Sequence, residues 1–266
     1  MNDRVTIEIK DGIADVRFNR ADKMNALDDE MFAGIIAAGM RMKEDKSVRV
    51  VVLSGEGRAF CAGLDTGNFA RTAAAGKETR PEGRLLARTH GISNNPQYAV
   101  WVWREVPVPV IAAVHGVALG GGFQLTLGAD IRIVAPDTKL SVMEIKWGLV
   151  PDMAGTAILR NLVRDDVLRE LTYTGRVFTG EEALQLGLAT KLSLTPRDDA
   201  FALAREITLK SPDAIKAAKR LMNALPQLSD AEALMAESRE QDSIIGKPNQ
   251  VEAIMSQMQK RAPNYS

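Results

Sequence analysis

The chain has 266 residues, of which 45% are hydrophobic, and its 34 lysines and arginines balance 34 aspartates and glutamates. That length can bury a substantial core, and the zero net charge gives no overall support to nucleic-acid or membrane binding. The single cysteine, Cys61, excludes a disulfide within the chain, and two histidines, His90 and His115, are too few for most histidine-rich metal sites. No apolar run follows Met1, so we expect a cytoplasmic protein with no membrane span and no bound metal.

The N-terminal part of the chain predicts two strands, a helix and a third strand. Alternating apolar and polar residues over 5–9 and 13–18 flank Asp11-Gly12, which is typical of a tight β-hairpin turn. Asp28 can cap a helix. The apolar residues of this helix recur at helical spacing, at Met31, Ile35, Ala38 and Met42. A short apolar run from Val48 to Leu53 then predicts the third strand.

The turn that follows, Ser54 to Phe60, invites comparison with a dinucleotide-binding glycine fingerprint. The position of the third glycine is occupied by Phe60, which is too large for the close helix packing of that motif. We therefore interpret the segment as a turn at a strand end. The next residues include Ala62 and Gly63, whose small side chains let the backbone approach a ligand closely.

Residues 66–105 contain scattered glycine and proline residues without sustained periodicity, and they predict a mobile loop or lid with short helices. Trp101 and Trp103 are interpreted as core or loop anchors in preference to substrate contacts. A proline-edged buried strand is predicted over 106–114. It leads to three consecutive glycines, 120–122, and then to helical residues, so bare N–H donors at a helix start would favour an anion here.

The second half of the chain predicts two more strands, 131–134 and 139–141, and then becomes helical. Helix starts are indicated by a capping box at 179–182, by Ser211-Pro212 and by Ser229-Asp230. The order of elements predicts an α/β fold. We assign residues 1–195 to the core and 196–266 to a helical C-terminal region.

Two turns without large side chains, Ala62-Gly63-Leu64 and Gly120-Gly121-Gly122, each follow an apolar strand. If one N–H from each turn pointed at the same carbonyl oxygen, the pair would form an oxyanion hole, where losing one donor typically costs about 3 kcal/mol of barrier. A thioester suits such a site, because its acidic α-proton makes a stabilised enolate reachable. That chemistry also needs a base.

Two carboxylates, Glu144 and Asp152, are the candidates for acid/base work. Glu144 lies among apolar residues, which would raise its pKa towards neutrality. The alternative is a partly exposed glutamate at a strand edge. Asp152 follows Pro151, and the alternative for it is capping of a helix that begins near Ala154.

Four stretches, in this order and spacing, resemble the crotonase family (the enoyl-CoA hydratase/isomerase superfamily). They are Asn25-Ala26-Leu27, Phe60 to Asp65, Ala112 to Gly122, and Glu144 to Pro151. The resemblance extends over nearly all of residues 4–260 and is far more specific than any single glycine motif.

The resemblance implies a spiral of ββα units with a helical C-terminal region that mediates formation of a homotrimer or a dimer of trimers. It also implies an acyl-CoA substrate whose thioester oxygen is held by the N–H groups of Leu64 and Gly121. Coenzyme A is then part of the substrate, and no separate cofactor is expected. Further contacts to the substrate or its CoA map to Lys23, Met24, Ala62 and Gln124.

The residue at position 124 separates the reactions of the family. In the hydratases a glutamate at this position pairs with the one that matches Glu144, and both take part in adding water. Gln124 cannot take up a proton at neutral pH, so double-bond isomerisation of an enoyl- or dienoyl-CoA by Glu144 is our first hypothesis.

Asp152 falls where dienoyl-CoA isomerases carry a second acid, although those enzymes have aspartate where this chain has Gln124. The dehalogenase branch uses an aspartate nucleophile at the Asp152 position but has tryptophan at the Glu144 position, which argues against it. Hydration by Glu144, with Asp152 or a water held by Gln124, is the nearest alternative.

A second alternative is a catalytically silent member that acts as an RNA-binding or scaffold subunit. The basic helix of the RNA-binding member has no counterpart in this sequence. We interpret the modest cluster of Lys216, Lys219 and Arg220 as a solvated face or a contact to a CoA phosphate, and we expect no nucleic acid partner.

Overall fold

The computed structural model describes residues 3–65, 67 and 85–266 of the chain. Within them the strands are β1 (Val5–Lys10), β2 (Ile13–Phe18), β3 (Val50–Gly55), β4 (Val110–Val114), β5 (Val117–Leu119), β6 (Ile131–Val134), β7 (Lys139–Ser141), β8 (Phe178–Thr179) and β9 (Lys191–Leu192). The larger sheet has the order β1-β2-β3-β4-β6-β9, and the smaller has the order β5-β7-β8.

The helices of the described residues lie between the strands and after them. They are α1 (Asp29–Glu44), α2 (Asn95–Glu105), α3 (Gly121–Leu127), α4 (Gly155–Leu159), α5 (Asp165–Thr174), α6 (Gly180–Gln185), α7 (Pro196–Thr208), α8 (Pro212–Ala224), α9 (Asp230–Asp242) and α10 (Pro248–Met258). Short 3-10 helices cover Ala21–Lys23, Glu144–Trp147 and Leu225–Gln227.

The predicted hairpin is confirmed: β1 and β2 are antiparallel and meet at Asp11 and Gly12, with φ of 52° and 77°. Positive φ at both residues is the backbone of a two-residue hairpin turn whose twist matches the strands. From β2 onward the larger sheet is parallel. Because the carboxyl ends of parallel strands meet at one edge, the residues after β3 and β4 leave the sheet side by side.

Both faces of the larger sheet are buried, which is why β3 and β4 are continuous apolar runs. In β3, Val51 and Leu53 belong to the core shared with α1 and α2. Val50 and Val52 point the opposite way, into a second cluster with Ala200 and Ala204 of α7. The first helix after residue 195 thus covers one sheet face, and the division of the chain at 195 stays a prediction.

Helix α1 begins as the sequence predicts, with the Asp28 carboxylate accepting the N–H of Met31. The segment predicted to be a loop or lid with short helices contains α2, which covers Asn95–Glu105 with a complete capping box. In this cap the Asn94 side chain accepts the N–H of Gln97, and the Gln97 side chain accepts the N–H of Asn94. The rest of the predicted lid, residue 66 and residues 68–84, lies outside the described residues.

Other expectations need local correction. Strand β4 begins at Val110 instead of Val106, because two prolines follow the end of α2 and lack the N–H that a ladder needs. Trp103 is fully buried, as an anchor would be. The predicted capping box at Thr179 is half formed, since the Glu182 carboxylate pairs with Arg176 instead of returning to the cap.

The predicted solvated basic face on α8 is wrong for Lys219. This lysine is buried, and its ammonium group lies among Trp103, Val108 and Asp130. Lys216 and Arg220 keep more exposed positions on the same helix. The sequence shows three basic residues in five positions, but only the packing of α8 against the chain shows that one of them points inwards.

Candidate active site

Backbone pairing beyond the ends of β3 and β4 brings the two glycine-containing turns together. The N–H groups of Phe60 and Cys61 donate to the carbonyls of His115 and Val117 at 2.9 and 3.1 Å. Leu119 N–H donates to Cys61 O at 3.1 Å, which continues the parallel pairing. The chain therefore enters the turns at Gly63 and at Gly120 from neighbouring, parallel directions.

These turns approach too closely to accommodate side chains. Gly63 has a φ of 88°, and a Cβ there would lie 2.4 Å from Leu119 O and 3.7 Å from Gly121 N. A Cβ at Gly122 would lie 2.2 Å from Cys61 O. Among the described residues, no acceptor pairs with the N–H of Leu64 or of Gly121. Two unpaired donors on adjoining turns are what a shared oxyanion site requires, and this role stays a prediction.

The segment after the first 3-10 helix supports the first of these turns. Ala62 N–H donates to Met24 O at 2.9 Å, and Leu27 N–H donates to Gly63 O at 2.8 Å. Lys23, exposed on the same short helix, and Met24 therefore lie beside Ala62. The structure thus brings together three residues predicted to contact CoA, whose binding role remains a prediction.

Glu144 lies in the 3-10 helix that follows β7, and it is only 9% exposed. The alternative of a partly exposed glutamate at a strand edge is therefore wrong. One carboxylate oxygen, Oε1, accepts a hydrogen bond from Gln124 Nε2 at 2.6 Å. The other, Oε2, is buried and has no hydrogen-bond partner among the described residues.

The surroundings of Glu144 shift the pKa of its carboxyl group. Burial raises the pKa of the carboxyl group. The backbone N–H groups of Glu144 and Met143 and the hydrogen bond from Gln124 oppose the rise, while the negative charge of Asp152 adds to it. A Cβ added to Gly120, whose φ is 52°, would lie 3.4 Å from Glu144 Oε1. The carboxylate therefore lies directly beside the glycine run that exposes Gly121 N–H.

Comparisons with known proteins identify the family to which this fold belongs. A family model described as enoyl-CoA hydratase/isomerase matches residues 8–266. The chain belongs to this family. One relative is the mitochondrial methylglutaconyl-CoA hydratase of Mus musculus. It is 30% identical to this hydratase/isomerase family member over 261 residues, which are 96% of this chain and 79% of the relative.

Two further similarities cover nearly the whole hydratase/isomerase chain. The peroxisomal Delta(3,5)-Delta(2,4)-dienoyl-CoA isomerase of Arabidopsis thaliana is 29% identical over 251 residues, 93% of this chain and 90% of the relative. The crystal structure of an enoyl-CoA hydratase from Bacillus anthracis superposes with a TM-score of 0.88, at 26% identity and 98% coverage of each chain. The predicted α/β fold of the crotonase type, with its helical C-terminal region, is thereby confirmed.

In this hydratase/isomerase family member, Asp152 is exposed in the turn before α4. The predicted helix cap is wrong, because the N-cap of α4 is Ala154, which has a φ of 65° and makes no side-chain cap. Gln124 Oε1 accepts the N–H groups of Met153 and Gly155, each at 3.0 Å. The turn that carries Asp152 is therefore hydrogen-bonded to Gln124, which also contacts Glu144.

Sequence reasoning missed two supporting residues of this family member. The buried Asn25 amide donates to the carbonyls of Ala59 and Phe60 at 2.8 and 3.2 Å and so fixes the approach to the first turn. Gly155 leaves room for Gln124, since a Cβ there would lie 2.7 Å from Gln124 Oε1. A glycine three residues after the candidate acid Asp152 was the available signal for the second.

No group of three His, Cys, Asp or Glu side chains in residues 3–65, 67 and 85–266 is arranged to hold a metal ion. Over the same residues, we find no helix with the length and apolarity needed to cross a membrane. Burial raises the pKa of the Cys61 thiol to about 12, so this cysteine is a poor nucleophile although it lies directly before the first turn.

Proposed function

We propose that this chain is an isomerase that moves a double bond in an enoyl-CoA or dienoyl-CoA thioester. The N–H groups of Leu64 and Gly121 hold the thioester oxygen, and Glu144 is the acid/base. Lys23, Met24 and Ala62 contact the CoA part of the substrate. The proposal goes beyond family membership, which covers hydratases and isomerases alike.

For a 3-enoyl thioester, the proposed reaction needs one proton carrier. Glu144 takes a proton from carbon 2, and the electron pair of that C–H bond moves towards the thioester oxygen to give a dienolate. Negative charge on this oxygen is stabilised by the two N–H donors. The same carboxyl group returns the proton to carbon 4, and the double bond ends between carbons 2 and 3. No atom is gained or lost.

The observation that carries the proposal is the amide at position 124. Gln124 lies 2.6 Å from Glu144 where a second carboxylate would be needed for the paired-carboxylate addition of water. An amide neither takes up nor releases a proton near neutral pH. Proton transfer by Glu144 alone is sufficient for isomerisation, and burial raises its pKa towards the range that suits a general base.

Hydration of a 2-enoyl-CoA is the competing proposal, and the charge of Asp152 supports it. Asp152 lies near enough for its negative charge to raise the pKa of Glu144, so it is a candidate for the second carboxylate. The same residue is the candidate second acid for a dienoyl-CoA, where a proton must reach a more distant carbon.

Product analysis of purified protein incubated separately with 2-enoyl-, 3-enoyl- and 3,5-dienoyl-CoA separates these functions. We expect bond migration in the 3-enoyl or 3,5-dienoyl substrate, with slower formation of 3-hydroxyacyl-CoA. Rapid hydration without migration would replace isomerase by hydratase. Absence of any turnover, together with unchanged acyl-CoA binding in Glu144→Gln, would favour a silent member.

We also propose that the C-terminal helices join chains into a homotrimer or a dimer of trimers. Several large apolar side chains of α9 and α10 are exposed in the single chain, namely Leu234, Met235, Val251, Ile254 and Met258. An apolar cavity of about 440 Å³ opens beside α10 and is lined by Ala214, Ile254 and Met258 among others. Light scattering coupled to size exclusion should give three or six times the 28.9 kDa chain mass, and a monomer would contradict the proposal.

A further inference from the structure

The side chain of Gln124 makes three hydrogen bonds to other protein groups of the site. It lies on α3, directly after the glycine run, and is 1% exposed. Its Oε1 accepts two backbone N–H groups, from Met153 and Gly155. Only the oxygen end of an amide accepts hydrogen bonds, so these two contacts fix the orientation of the side chain.

With Oε1 fixed in this way, the NH₂ end must face Glu144. It donates to Glu144 Oε1 at 2.6 Å, a short distance for an N–H donor and typical of a hydrogen bond to a charged acceptor. The donor therefore occupies Oε1 and favours the ionised carboxylate. Glu144 Oε2, buried and without a partner in the described part of the chain, is the oxygen left to exchange a proton.

The same amide also holds the turn that carries Asp152. Its two N–H partners flank Ala154, whose φ of 65° is strained for a residue with a Cβ. The first partner, Met153 N–H, immediately follows Asp152 in the chain. One side chain thus sets the backbone of the candidate second acid relative to the carboxylate of the first.

We propose that Gln124 is a positioning residue that holds Glu144 by Oε1, leaves Oε2 as the proton-carrying oxygen, and keeps the Asp152 turn in register with it. The inference rests on the proposed function of Glu144 as acid/base. It assigns Gln124 no contact with the reacting atoms. It also explains why α4 is preceded by a strained alanine and begins with a glycine.

Three variants separate the donor and acceptor functions of Gln124. Gln124→Met has similar length but lacks both functions. Gln124→Glu keeps the oxygen that accepts the two N–H groups, but when ionised it loses the donor and adds a like charge beside Glu144. Gly155→Ala leaves residue 124 unchanged and displaces it, because the new Cβ would lie 2.7 Å from Oε1. Gln185→Met, at an exposed position on α6, is the matched control.

The first measurement is independent of turnover. The Glu144 carboxyl can be titrated by NMR in protein labelled with ¹³C at glutamate side chains, with Glu144→Gln used to identify its signal. Because the lost hydrogen bond favours the ionised form, we expect the midpoint to rise by about one pH unit in Gln124→Met and Gly155→Ala. A larger rise is expected in Gln124→Glu, where Asp152 and the new carboxylate both act on Glu144.

The second measurement is the pH profile of turnover on whichever acyl-CoA the native protein converts. The acid limb of kcat/KM should move to higher pH in the same order, and kcat at neutral pH should fall about tenfold to a hundredfold with KM nearly unchanged. Thermal unfolding identifies variants that fold. If Gln124→Met does not fold, Gln124→Glu and Gly155→Ala still test the positioning role. Each keeps a side-chain oxygen at position 124 that can accept the N–H groups of the turn.

Folded variants whose Glu144 midpoint matches that of the native protein and of Gln185→Met would overturn the positioning role. A fall in kcat without any change of midpoint would also overturn it, because direct contact of Gln124 with substrate would then be the simpler account. If the native protein converts no acyl-CoA, the proposed function fails. The NMR titration still tests the positioning role in that case.

Discussion

Two buried ionisable side chains, Lys219 and Glu144, differ in how much of their hydrogen-bonding capacity is filled. Lys219 has three N–H donors and three acceptors: the carbonyls of Trp103 and Val108 at 3.2 and 2.8 Å, and Asp130 Oδ2 at 2.7 Å. Glu144 has one bonded oxygen and one buried oxygen without a partner among the described residues. Both are at most 9% exposed.

The difference separates a structural charge from a functional one. Burying a polar group without a hydrogen bond costs free energy, so a fold that retains one gains something else from it. Lys219 joins α8 to α2 and to the segment before β4, and its hydrogen-bonding capacity is filled. Glu144 keeps one oxygen that can take up a proton, and it lies next to the glycine run, where Gly121 N–H has no acceptor among the described residues.

Replacing Glu144 by glutamine should have the largest effect on catalysis. The amide cannot exchange a proton, so kcat for bond migration should fall by about 10² to 10⁴-fold, while acyl-CoA binding remains. Steady-state kinetics with 3-enoyl-CoA and calorimetric binding measure the two properties. Glu181→Gln, at an exposed position on α6, is the control and should match the native protein. Unchanged turnover in Glu144→Gln would remove its acid/base role.

Removing one of the two N–H donors should have the next largest effect. Proline is compatible with the first position of a helix, and Gly121→Pro deletes the N–H proposed to bind the thioester oxygen. We expect kcat to fall about 10² to 10³-fold, or roughly 3 to 4 kcal/mol. Gly121→Ala is the matched control: it adds a Cβ near the movable ends of Met153 and Leu27 but keeps the donor. Equal losses in the two variants would assign the effect to packing.

Lys219→Met should change stability instead of catalysis. The variant leaves two carbonyls and a carboxylate without their donor, which we expect to lower the free energy of unfolding by about 3 kcal/mol. Urea unfolding measures the loss, and Lys216→Met, on a more exposed side of the same helix, should stay within about 0.5 kcal/mol of the native protein. A large loss of kcat in folded Lys219→Met would contradict the division between structural and functional charges.

Local signals in the sequence were sufficient for most elements and for the list of site candidates. Asp11-Gly12, the Asp28 cap and the apolar runs of β3 and β4 each act within a few residues, so their prediction is confirmed. Lys219 is buried against Asp130, and Gln124 accepts the N–H groups of Met153 and Gly155. These contacts join segments more than 25 residues apart in the chain. No local pattern encodes such pairings, which is why the first was mispredicted and the second was seen only as a departure from a family pattern.

Helix α2 shows the same limit on a smaller scale. Its capping residues, Asn94 and Gln97, were present in the sequence, but the scattered glycine and proline residues before them masked the signal. The turn at Asp152 was misjudged for a related reason. Pro151-Asp152 suggests a helix cap, whereas the turn is held by the side chain of Gln124 and leaves α4 without a side-chain cap.

The smallest expected effect is on the pH dependence of stability. Burial raises the folded-state pKa of Glu144 above its value in the unfolded chain, so the folded protein binds the proton more tightly. Stability associated with this group is therefore fully present below about pH 4, the unfolded value, and declines as the pH rises through the folded pKa. Glu144→Gln has no such decline. The variant should thus be more stable than the native protein at pH 8 by on the order of 1 kcal/mol, and the gap should narrow towards pH 4.

Thermal unfolding of both proteins between pH 4 and pH 8 measures this gap, which corresponds to a shift of Tm of roughly 2 to 4 °C for a chain of this size. Glu181→Gln, at an exposed position, is the control and should match the native protein in this measurement. A gap that widens towards low pH would mean that folding favours the ionised form of Glu144. The hydrogen bond from Gln124 would then outweigh burial, and the carboxylate would be as well satisfied as Lys219.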